Sequence, residues 1–109
     1  MSLSVEVSAR ASERLEDIAT YITVETGFPR RAAKFVAALL RKARALGVVA
    51  PSIGVFYTSS VTSSEFRAFA HRGYRIIYAI IDERVIIVDF FHHARSTASM
   101  HRSLDGFRP

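Results

Sequence analysis

Apolar and polar residues alternate at the start of the chain, with Leu3, Val5 and Val7 set against Ser4, Glu6 and Ser8. This period of two predicts a short strand. From about Ala9 the spacing becomes helical: Ala11, Leu15, Ile18, Ala19 and Ile22 fall on one face, Gly27 can close the helix, and Glu13, Glu16 and Asp17 are read as acids favoured by its N-terminal end. Pro29 suits the first turn of a second helix, whose buried stripe runs through Ala32, Phe35, Val36, Leu39, Leu40, Ala43 and Leu46 to a stop at Gly47. The two helices predict an αα-hairpin. Residues 48–64, with Pro51, Gly54 and a Thr/Ser cluster, read as a long connection holding at most a brief strand at Val55 to Tyr57. Three strands follow, Glu65 to Ala70, Tyr74 to Ile81 and Arg84 to Phe91, and the short gaps Arg72-Gly73 and Asp82-Glu83 require antiparallel hairpins. The predicted fold is α+β: an N-terminal strand, the αα-hairpin, then a three-stranded antiparallel meander. One domain is expected over residues 1–96, with a polar, partly disordered tail over 97–109 in which Met100, Leu104 and Phe107 are scattered.

The meander carries a second message. Tyr74, Ile76, Tyr78 and Ile80 point one way and Ile77, Ala79 and Ile81 the other; strict alternation likewise puts Val85, Ile87 and Phe91 on one side and Ile86, Val88 and Phe90 on the other. Both faces are apolar, yet two helices can cover only one of them. The other face is expected to be an interaction surface, unless the connection and tail fold over it.

Composition narrows the setting. With 109 residues, 50% of them hydrophobic and 23% charged, the chain has the size and balance of one core-forming domain. Cysteine is absent, so packing alone must hold the fold, which suits a reducing cytoplasm. The N-terminal stretch lacks the basic and apolar regions of a signal peptide, and the runs YRIIYAII and RVIIVDFF are too short to span a bilayer, so a soluble protein without membrane association is expected. The net charge of +5 favours polyanions or acidic protein segments. Only Lys34 and Lys42 are lysines, and arginine favours bidentate contacts to carboxylate or phosphate.

Particular residues sharpen the picture. Leu15 to Ile22 (LEDIATYI), Ala33, Phe35 and Leu39, Pro51 with Gly54, Phe66-Arg67, the Gly73 to Tyr78 strand (GYRIIY), Val85 to Val88 and His92-His93-Ala94-Arg95 occur in the order and spacing of the ParE branch of the ParE/RelE toxin superfamily, which the chain resembles over residues 3–96. The resemblance implies a type II toxin encoded beside an antitoxin whose C-terminal segment wraps it, with a heterotetramer as one assembly. ParE-like members poison DNA gyrase; RelE-like members cut mRNA on the ribosome. Ser96 stands where the ParE pattern has an acidic residue, so the role of that carboxylate is lost.

Cleavage of RNA through its 2′-hydroxyl needs a base, an acid and cations at the phosphate. No lysine lies between Arg44 and Glu65 to supply the cations of RelE-like nucleases; Arg67, Arg75, His92 and Arg95 are the candidates that remain. As a binding surface, Arg67, Arg75, Tyr78, Ile80, His92 and Arg95 are the expected contacts, with Arg67 and Arg75 alternatively held in ion pairs, Asp89 being one acid within reach. No cofactor is expected. A zinc site from His71, His92, His93 and His101 is disfavoured, since adjacent histidines on a strand point to opposite faces. The leading expectation is a non-enzymatic toxin neutralised by a cognate antitoxin; the alternatives are a ribosome-dependent endoribonuclease, a degenerate relative that only binds antitoxin, and a basic nucleic-acid-binding module.

Overall fold

The computed structural model describes residues 2–108. Strand β1 (Ser4–Val7) leads into helix α1 (Ala9–Thr26), then α2 (Pro29–Arg44), two short 3-10 turns, β2 (Val55–Thr58), β3 (Glu65–His71), β4 (Tyr74–Ile81), β5 (Arg84–His92) and α3 (Thr97–Asp105). The strands form one five-stranded sheet in the order β1-β5-β4-β3-β2. β1 runs parallel to β5, and the remaining neighbours are antiparallel.

The hairpin forms where its punctuation places it. Ser8, extended at ψ 157°, accepts from the Ala11 amide at the start of α1, and Gly27 at φ 74° closes the helix in the left-handed region that other residues avoid. The acids do not fall in the first turn, which instead carries Arg10. Pro29 opens α2, while Arg41, Lys42 and Arg44 sit in its last turn, opposite the partial negative charge of the helix end. Gly47 then passes so close to β1 that a Cβ would collide with the Leu3 carbonyl, and its own carbonyl accepts from the Leu3 amide at 2.9 Å.

Three features differ from the sequence expectation. Four strands, not three, follow the helices, because the brief strand in the connection pairs with β3 as an edge strand. The tail is ordered as α3, capped by Ser96, and Met100, Leu104 and Phe107 bury themselves against Phe66, Ile77, Ala79, Val88 and Phe91. The second face of the sheet is therefore covered by the chain itself. Finally, Ile77 pairs with Asp89 but Tyr78 with Ile87, leaving Val88 as an extra residue in a β-bulge. The bulge inverts the later alternation: Phe90 joins Val85 and Ile87 in the hairpin-side core, and Phe91 joins Val88 in the α3-side core.

Candidate functional site

The residues singled out from the sequence lie in three separate places. Arg67 and Tyr78 hold the connection against the sheet. The Arg67 guanidinium donates to the Ile53 carbonyl, and the fully buried Tyr78 hydroxyl donates to the Ala50 carbonyl at 2.8 Å. Burial raises the Tyr78 hydroxyl pKa, partly offset by Arg67, which keeps it in the donor form. Ile80 packs against the hairpin-side core. Arg75 lies on the opposite face, its guanidinium 5.8 Å from the Phe56 ring and 3.7 Å from the Met100 sulfur of α3. Neither Arg67 nor Arg75 is paired with Asp89.

His92 and Arg95, in contrast, meet at one end of the molecule. The exposed His92 ring stands edge-on to Tyr74 at 5.2 Å, and its Nδ1 accepts from the Ala94 amide at 3.1 Å, which leaves Nε2 as the protonated nitrogen of the neutral ring. Arg95 Nε donates to Ser99 Oγ at 2.9 Å, and its guanidinium lies 4.5 Å over the Phe91 ring. Together with Arg14, Ile18 and Tyr21 of α1 they line a cleft of about 350 Å³.

The network behind this cleft was not anticipated. Asp89 is completely buried, and its Oδ2 accepts from Arg10 Nε and its Oδ1 from Arg14 Nε, both at 2.9 Å. The Phe90 amide adds a third donor at 2.7 Å. Arg10 continues to the carbonyl and hydroxyl of Ser103, so one carboxylate ties α1, β5 and α3 together. The Asp89 hydrogen bond raises the Arg14 pKa against the opposing effect of burial. The sequence signal was present: a lone acid inside the apolar run VIIVDFF, and Arg10 and Arg14 one helical turn apart.

A second surface lies on the outer side of the hairpin. Leu15 and Ala19 of α1 face Ala33, Val36, Ala37 and Leu40 of α2 across an apolar groove of about 440 Å³. Ala33 and Ala37 are exposed, and Val36 and Leu40 are only half-buried, so part of the stripe expected inside is open to a partner. Arg44 and Glu16 stand at the groove itself, and Arg30, Arg31, Lys34 and Arg41 are exposed along the same helix. The hairpin tip adds Tyr21, Val24 and Phe28, all more than half exposed. Among the described residues, no helix is long and apolar enough to cross a membrane.

A family profile described as "ParE toxin of type II toxin-antitoxin system, parDE" matches residues 5–97. No curated protein matches the chain by sequence. Among solved structures, a chain of the chromosomal ParDE toxin–antitoxin system from P. aeruginosa is similar in fold, with a TM-score of 0.66 and 19% identity over 84% of this chain and 96% of that one.

Proposed function

Because the chain belongs to the ParE family of type II toxins, we propose that it arrests growth by binding DNA gyrase rather than by cutting RNA. We further propose that a ParD-type antitoxin neutralises it in the cytoplasm by laying its C-terminal segment in the outer groove of the hairpin. The observation that carries the first half is the dispersal of the nuclease candidates. Arg67 is engaged by the connection, Arg75 lies beside α3 on the other face, and only His92 and Arg95 share a cleft. General acid–base cleavage requires such groups within hydrogen-bond reach of one substrate.

The second half is supported by chemistry and by elimination. With α3 on the sheet's second face, an apolar recess left open is the groove between α1 and α2. Exposed alanines let a partner backbone approach closely, and the cations of α2 complement an acidic tail. Such a tail would be disordered alone and fold on docking. An assembly of two toxins and two antitoxins fits this arrangement. The test is calorimetric titration of the purified chain with the antitoxin encoded by the neighbouring gene. Binding tighter than about 1 μM, weakened at least tenfold by Ala37→Glu, is expected. An affinity weaker than about 1 mM would end this reading. Tight binding without growth arrest on expression alone would identify a member that retains only the antitoxin contact.

A further inference from the structure

Positive charge is gathered on one face of the molecule. Helix α2 contains no acid, and at about 100° per residue its Arg30, Arg31, Lys34, Arg41 and Lys42 fall within about one third of the circumference. The turn between β3 and β4 extends this stripe: His71 and Arg72 join Ala38, Arg41, Lys42 and Ala45 in lining a recess of about 300 Å³. Among the described residues, none of the six Lys and Arg side chains of this face lies within 4 Å of a carboxylate. The six account for more than the whole net charge of +5, since the rest of the chain holds nine Lys and Arg against ten Asp and Glu.

The stripe is turned away from the apolar groove. The α2 residues that line the groove, Ala33, Val36, Ala37, Leu40 and Arg44, are centred about 120° around the helix from the stripe, and groove and recess share no residue. Arg30 to Lys42 cover about 18 Å of helix axis, more than the width of about 12 Å of a DNA major groove, so phosphates on both of its walls come within reach. Between the cations of the recess stand Ala38 and Ala45, short side chains that let a phosphate strand settle among longer ones. Burial, Arg72 and Lys42 lower the His71 pKa, so at neutral pH this ring adds an uncharged N–H donor. No aromatic platform is open there: Phe69 is half-buried, with the Lys42 ammonium 4.9 Å from its centroid.

We propose that this face binds the phosphate backbone of duplex DNA, with Arg41, Lys42 and Arg72 gripping phosphates at the recess and Arg30, Arg31 and Lys34 continuing the contact along α2. The duplex carries one negative charge per about 1.7 Å of axis, a density that a row of cations on a rigid helix meets with release of counter-ions. A single strand fits less well, because its binding draws on exposed aromatic rings. An acidic protein segment fits less well, because protein interfaces are anchored by large apolar or aromatic side chains in pockets, and the recess offers only alanines between its cations. The inference concerns a surface apart from the antitoxin groove, and it stands whether or not gyrase is the toxin's target.

The test is fluorescence anisotropy of a labelled duplex of about 20 base pairs titrated with the full chain at salt concentrations from about 50 to about 200 mM. A Kd below about 100 μM at about 100 mM salt is expected, with the logarithm of the affinity falling against the logarithm of salt at a slope of about −4 to −5.5. Arg41→Gln combined with Arg72→Gln should weaken binding at least about tenfold and flatten the slope by about 2. Arg102→Gln combined with Arg108→Gln, which removes the same net charge outside this face, should weaken it less than about threefold. A single-stranded oligomer of equal length and a polyglutamate of equal charge should each bind the unaltered chain at least about tenfold more weakly than the duplex. Should the first double variant fail to fold, this ranking decides alone. Equal binding of the single strand or of polyglutamate, a Kd above about 1 mM, a folded first variant that binds as the parent does, or an equal loss in the second variant would each overturn the proposal.

Discussion

Replacing Asp89 by alanine removes the one acid on which three elements converge, and the size of the loss follows from its partners. The carboxylate has no exposure and accepts from Arg10, Arg14 and the Phe90 amide, all at 2.9 Å or less. A hydrogen bond to a charged group contributes about 1.5 to 3 kcal/mol net. The arginine side chains keep 30% and 35% of their surface exposed, so water replaces part of what they lose. The low end, about 1.5 kcal/mol for each, is therefore appropriate, with about 1 kcal/mol for the amide. Asp89→Ala should cost about 4 kcal/mol, within the 3 to 5 expected for breaking a buried pair. Asp89→Asn, which keeps the shape and one acceptor, should cost about 2 kcal/mol. Urea denaturation checks both: with a slope of about 1.5 kcal/mol/M, the alanine variant's midpoint should fall by about 2.7 M. A fall below about 0.7 M at unchanged slope would refute the reasoning, because it would mean that the arginines solvate as well apart from Asp89 as on it.

Three further outcomes can be checked on the same protein. Leu39→Ala should cost about 2 to 5 kcal/mol in urea denaturation, since Leu39 is fully buried in the hairpin-side core; a loss well under 1 kcal/mol would remove it from that core. Asp82 and Glu83 turn between β4 and β5 with φ at 51° and 61°, so Glu83→Gly should raise stability by about 1 kcal/mol, read as a higher melting temperature. The Tyr57 and Ser59 hydroxyls both donate to Asp105 at 2.7 Å, lowering the Asp105 pKa and raising that of Tyr57. The Asp105 contribution is therefore present above the unfolded carboxylate pKa and lost as pH falls through the lowered folded value. The Tyr57 contribution is present below the unfolded phenol pKa and lost as pH rises through the raised folded value. Hydrogen exchange of the α3 amides should accordingly quicken at both ends, with Asp105→Asn removing the acid limb and Tyr57→Phe the alkaline one.

The hairpin was legible because its signals are local: Ser8, Gly27 and Pro29 mark its ends, and the helical stripe is long enough to fix its faces. Helix α3 was not. Its nine residues carry only two buried apolar side chains, Met100 and Leu104, set among polar ones, and their burial depends on a sheet face formed by residues far upstream. The Val88 bulge was equally hidden, because a strand apolar on both sides gives alternation no phase to count. The terminal His92 and Arg95 proved to share a cleft, as their nearness in sequence allows. The roles of Arg67 and Tyr78 rest on the carbonyls of Ala50 and Ile53, which only the folded connection brings within reach.

The most direct test of the account adds the purified chain to DNA gyrase in a supercoiling assay and, in parallel, to translating ribosomes. The account predicts inhibited supercoiling that is restored by the antitoxin, and intact ribosome-bound mRNA. Unimpaired supercoiling together with mRNA cleavage that disappears in His92→Ala would contradict it.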